Sequence, residues 1–136
     1  MRLALALGLC GILAACIARA PFETLPERPV LPPEGATYMG SQTRLLDTDL
    51  ANFLVEMRGA RDERDAGAYA RCVAAQYALI RGYGFARHIR TIVSEEGGVW
   101  RGDAVYTVSP ALPPGARTLD AEIEVARCRE DGIPTI

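Results

Sequence analysis

The run from Leu3 to Ala18 constrains this chain more than any other feature. It holds sixteen residues without a charge, behind Arg2 and ahead of Arg19. A bilayer-spanning helix needs about 20 such residues, and Gly8 and Gly11 weaken this run further as a stable helix. A basic start followed by a short apolar core is the pattern of a secretory signal peptide. The remainder of the 136 residues is enough for one domain. Hydrophobic residues make up 49% and charged residues 24%, fractions that exclude a disordered chain and a multi-span membrane protein. A formal charge of −2 gives no electrostatic footprint for nucleic acid. All 15 basic residues are arginines, so lysine Schiff-base chemistry is excluded.

The run ends in Leu13-Ala14-Ala15-Cys16, which resembles the bacterial lipoprotein box: an aliphatic residue, two small residues and a cysteine. Small side chains suit a signal peptidase cut, and the thiol is the group that receives lipid. Cys10 is a poorer candidate, because bulky Leu9 precedes it and too short a core would remain. The plainer reading is a buried helix with Cys16 in its core. The resemblance implies a signal peptide over 1–15 and a mature chain that begins at an acylated Cys16. Its acyl chains bury methylenes at about 0.8 kcal/mol each, which anchors the chain to a membrane without a spanning helix. Ile17 stands where an aspartate would favour inner-membrane retention, so the expected address is the outer membrane, with the domain facing the periplasm.

Residues 16–40 read as a tether. Pro21, Pro26, Pro29, Pro32 and Pro33 suit neither helix nor sheet, and a proline-rich spacer of this length reaches on the order of 70 Å. Phe22, Leu25, Val30 and Leu31 would let it pack back on the domain instead.

The domain, 41–136, reads as β-α-β-β-β. Arg44 to Arg58 is the first strand, with Phe53, Val55 and Met57 on one face and Leu50, Asn52, Leu54 and Glu56 on the other. Asp65 is the expected N-cap of an alanine-rich helix that runs through Arg81 and stops at Gly82 and Gly84. Phe85–Val93 and Val99–Val108 are strands joined by Glu95-Glu96-Gly97-Gly98, a hairpin signal. Leu119 to Val125 alternates with Asp120, Glu122 and Glu124 and reads as a fourth strand with one wet face. The expected fold class is α+β: a two-layer sandwich with one helix packed on a small, mainly antiparallel sheet.

With Cys16 lipidated, Cys72 and Cys128 remain, and in an oxidising compartment such a pair forms a disulfide. A redox-active pair would need a marked low-pKa thiol, and Cys-x-x-Cys spacing is missing. The parity is awkward. In a regular strand, Cys128 shares the face of Glu122 and Glu124, so the strand must end or bulge before Arg127, or the helix packs on the face read as wet.

Candidate chemistry is sparse. His88 is the only histidine, which leaves no second imidazole for a metal site. Ser41, Ser94 and Ser109 lack a nucleophile motif. The row Asp120, Glu122 and Glu124 suits a solvated face, or pairing with Arg87, Arg90 or Arg101, better than a calcium loop. Tyr69, Tyr77, Tyr83, Tyr106 and Trp100 read as core and rim. Gly82-Tyr83-Gly84 follows a helix where a dinucleotide loop would open one. No catalytic residue, cofactor site or metal site is assigned.

Thr43-Arg44-Leu45-Leu46-Asp47, Arg58-Gly59, Tyr69-Ala70, Ala74-Ala75 and Arg81-Gly82-Tyr83 resemble a group of small uncharacterised alphaproteobacterial lipoproteins, over residues 43–109. A more distant similarity is to Rcs-type envelope-stress sensor lipoproteins, which carry a second cysteine pair that this chain lacks. The expected function is therefore a non-enzymatic, lipid-anchored envelope protein, a protein-interaction or structural module of the periplasm or outer membrane with an envelope protein partner. The alternatives are an envelope-stress sensor, or a small-ligand or enzymatic domain with a pocket near His88 and Trp100.

Overall fold

The computed structural model describes residues 31–115 and 117–136. The expected signal peptide, Cys16 and most of the stretch read as a tether lie outside them. The elements are β1 (Thr37–Leu45), β2 (Leu50–Arg58), α1 (Glu63–Ile80), β3 (Phe85–Glu96), β4 (Val99–Ser109), β5 (Thr118–Asp120) and α2 (Ala121–Asp131). All five strands join one antiparallel sheet in the order β1-β2-β4-β3-β5. The fold class is α+β, and both helices lie on the same face of the sheet.

The structure corrects the expected elements at both ends of the domain. The stretch 44–58 is not one strand but the end of β1, a turn, and β2. Leu46 N–H donates to Leu50 C=O at 2.8 Å to close the turn, and Asp47 Oδ1 accepts from Thr48 N–H inside it. Short polar side chains that bond to nearby backbone favour such turns. The stretch 119–125 is three residues of strand and then a second helix. Ala121, Glu124, Val125 and Cys128 are its buried residues, the i, i+3, i+4, i+7 stripe of an amphipathic helix. That spacing resolves the parity of Cys128. The strand ends at Asp120, whose side chain caps α2 by accepting from Ile123 N–H at 3.1 Å. Gly132 ends α2 in the left-handed conformation, φ 73°, and Ile133 N–H returns to Cys128 C=O at 2.9 Å, the bonding of a Schellman motif.

The N-cap of α1 is Asp62, not Asp65. Asp62 Oδ1 accepts from Arg64 N–H at 2.9 Å. Asp65 lies one turn inside and is buried, and it accepts from the backbone and side chain of Arg61 at 2.7 to 3.1 Å. Arg61 also donates to the C=O of Leu31, so the chain that enters the domain is fastened at the foot of α1. β1 begins at Thr37, within the stretch read as tether.

Alternation along β2 sorts the layers. Ala51, Phe53, Val55 and Met57 are buried beneath the helices, and Tyr106, Ala104, Gly102 and Trp100 of β4 stand opposite them. Alanines 66, 70, 74 and 78 of α1 are fully buried, so the helix can sit low on the sheet. The approach is tight at Gly102, where a Cβ would meet Val55 Cγ2 at 2.9 Å and the Ala66 carbonyl at 3.4 Å. The Gly97-Gly98 turn has φ of 60° and 78°, which suits a two-residue type I′ hairpin.

The other sheet face carries Gln42, Leu54, Asp103 and Ile92 in one cross-strand row. Arg101 pairs there with Glu56 at 2.7 Å and Arg90 with Asp103 at 3.4 Å. Asn52, though buried, is satisfied by Asp103 Oδ1 at 2.6 Å and by Ala104 C=O at 3.2 Å.

Candidate functional site

The two helices do not close completely over β3 and β4. Between them is a cleft of about 680 Å³ that reaches inward-facing His88, Thr91 and Tyr106. The opening follows from small residues, because α1 presents Gly67 and Ala68 along this wall. His88 and Tyr106 are register partners, and their rings meet edge to face at 5.1 Å. His88 Nε2 and Thr91 Oγ1 share a hydrogen bond of 2.8 Å.

The far wall belongs to α2, and two fastenings hold it. Cys72 of α1 is disulfide-bonded to Cys128 of α2, with Cα atoms 5.9 Å apart. Next to it, Arg71 pairs with Glu124: Nη2 donates to Oε2 at 3.0 Å, and Nε lies 2.8 Å from Oε1 without hydrogen-bond alignment. Arg127 Nη1 approaches the same carboxylate at 3.6 Å. The Glu124 side chain is only 9% exposed, and a buried carboxylate requires such partners.

The acidic row expected along one strand is therefore dispersed. Asp120 caps α2, Glu122 is exposed, and Glu124 is buried against Arg71 and Arg127, not against Arg87, Arg90 or Arg101. His88 and Trp100 do not share a pocket. Their partners on the neighbouring strands are Tyr106 and Glu95, so six β4 positions, roughly 20 Å, separate the two ends. Tyr69 and Tyr106 are buried. Phe53 stacks edge-on with Tyr77 at 5.3 Å and with Tyr106 at 6.0 Å, so these aromatics are packing residues. Burial pushes the Tyr69 hydroxyl pKa upward, against hydrogen bonds from the Gly40 and Ser41 side.

Cys72, Cys128 and Glu124 converge within 4.8 Å, as metal ligands would. Here the sulfurs are bonded to each other and the carboxylate is held by arginine. A disulfide offers no thiolate, the form of cysteine that binds metal. Sequence reasoning singled out His88 but missed Arg117 and Arg127, whose place at the cleft depends on how β5 and α2 fold, a stretch the periodicity reads as strand.

A small antiparallel sheet carrying two helices pinned to each other by a disulfide defines the class: an α+β module. The profile of the YNQ4 C-terminal domain matches residues 38–132, and the chain belongs to that family. It is 33% identical over 103 residues to an uncharacterised 26.9 kDa protein in the nqo8 5' region of Paracoccus denitrificans. The match covers 71% of this chain and 40% of that relative, so the chain spans about two fifths of the relative's length. No solved structure matches.

Proposed function

We propose that this chain is a lipid-anchored envelope protein whose α+β domain binds another envelope protein and carries out no reaction of its own. Leu13-Ala14-Ala15-Cys16 carries the reading, because small residues before a cysteine at the end of a short apolar run fit both export and acylation. The Cys72–Cys128 disulfide supports it, since such bonds persist in oxidising compartments.

The geometry suggests how such a module would face its partner. Leu31 follows Cys16 by fifteen residues, a reach of roughly 50 Å at full extension. It meets the domain at Arg61, at the foot of α1. The opposite end holds the β1–β2 turn, the end of α1 and the β4–β5 connection. Leu45, Leu46, Ile80 and Leu112 are exposed there, each by more than half. Exposed aliphatic side chains at one end of a domain favour protein contacts there, and these lie away from the end that Leu31 enters.

Labelling with a palmitate analogue tests the anchor. Cys16→Ser is expected to lose the label and leave the membrane fraction; a labelled variant refutes the reading. Photo-crosslinking in cells from position 46 tests the interaction. One stoichiometric envelope partner, lost in Ile80→Glu, is expected. Recovery of the protein alone from every position at that end rules the interaction out.

A further inference from the structure

The cleft is basic within a chain of formal charge −2. Four arginines line it (Arg64, Arg71, Arg117 and Arg127) against two acids, Glu124 and Asp131. Pairing absorbs half of the positive charge. Arg64 turns to Asp62 at 2.6 Å, and Arg71 is taken by Glu124. Arg127 is 44% exposed and touches Glu124 only at 3.6 Å. Arg117 is exposed, and no carboxylate lies within 4 Å of it among the described residues. Two guanidinium groups therefore have hydrogen-bonding capacity left at the rim of a polar-floored cavity.

The backbone adds an independent observation. Arg117 has φ 65° and is the only non-glycine residue with positive φ among the described residues. Its C=O accepts from His88 N–H at 3.0 Å, which ties it to the strand that forms the cleft floor. An L-residue is held in this region at a cost, and such positions cluster at ligand sites. Glycine would adopt the conformation freely, yet the residue placed there carries a guanidinium.

We propose that the cleft binds a small dianion, with Arg117 and Arg127 pairing with its oxygens above His88 and Thr91. Guanidinium groups suit this task because their forked donors match phosphate and carboxylate oxygens. A cleft of this size encloses a ligand of metabolite dimensions. Binding here depends on neither the membrane anchor nor a protein partner.

The test is a two-dimensional NMR titration of the full chain in detergent micelles, with inorganic phosphate and succinate in separate arms and chloride at matched ionic strength. Saturable shifts at residues 88–91, 117–119 and 124–128 are expected with at least one dianion, and the responding arm identifies the class. Arg117→Gln and Arg127→Gln should each weaken binding about tenfold or more, the effect of losing a charge-assisted hydrogen bond. Arg101→Gln, on the opposite sheet face, should leave it unchanged. Arg117→Gly separates ligand binding from structure, because it relieves the backbone while removing the guanidinium. Its thermal midpoint should hold or rise while binding falls. The proposal is overturned if neither dianion saturates below about 10 mM, a very weak affinity, if chloride gives the same shifts, or if Arg117→Gly binds like the parent chain.

Discussion

The two helices share one face of the sheet but are held to it by different means. α1 is 18 residues long, nine of them buried, and alanines let it settle against Phe53, Val55 and Gly102. Its attachment is spread over many small contacts. α2 is 11 residues long, four of them buried. A disulfide, the Arg71–Glu124 ion pair and the return of Ile133 fasten it at a few points. Distributed packing should fail only with the whole core, whereas point fastenings should fail locally.

Substitutions can break that contrast, and the largest effect is expected beneath α1. Phe53→Ala removes a fully buried ring and should cost about 3–5 kcal/mol. Urea unfolding should show the loss as one cooperative transition. If α1 opened separately, its packing would not be distributed.

Removing the cysteine pair, Cys72→Ala with Cys128→Ala, should cost about 2–4 kcal/mol, the usual range for a native disulfide. The sharper readout is hydrogen exchange. Amides of α2 should lose protection before those of α1, and equal losses in both helices would contradict local fastening.

Asp65→Asn probes the foot of α1. Burial raises the Asp65 pKa, but side-chain and backbone donors of Arg61 outweigh it and hold the carboxyl below the usual aspartate value. The substitution should cost about 1–2 kcal/mol at neutral pH. With a folded pKa below the unfolded one, the ionised carboxylate's contribution is complete above about pH 4 and is lost as pH falls through the folded value. The stability gap between Asp65→Asn and the parent chain should therefore narrow in acid; a gap that is constant from pH 7 to pH 3 would rule out the charge as its cause.

The smallest effect is expected at the start of α2. Asp120→Ala removes its N-cap acceptor and should cost about 1 kcal/mol. The loss should appear as faster exchange at the first amides of α2, with α1 unchanged.

Sequence reasoning found α1 and β2 because their burial follows a local period. Phe53, Val55 and Met57 alternate, while Tyr69, Val73 and Tyr77 recur at helical spacing in a segment whose alanines give it high helix propensity; Ile80, at the same spacing, is exposed. The Gly97-Gly98 turn was equally plain, since few other residues tolerate its backbone. The β1–β2 turn was missed because Leu45, Leu46 and Leu50 kept the apolar pattern running across Asp47-Thr48-Asp49. α2 was missed for a different reason. Its buried stripe contains Glu124, and a carboxylate in that place reads as a wet face until Arg71, 53 residues earlier, is brought beside it. The same dependence hid the cleft, whose arginines come from α1, α2 and the connection before β5.

The α+β class, the alanine-rich helix, the tight hairpin and the alternating core residues of β2 are all legible along the chain. Each follows from propensity or periodicity within a dozen neighbouring residues. That the last segment is a helix, that Glu124 is buried, and that Arg117 and Arg127 line one cavity follows from contacts between distant parts of the chain. A charge can be buried only where a partner compensates it, and Glu124 finds its partner 53 residues away; a cleft exists only where elements distant in sequence fail to meet.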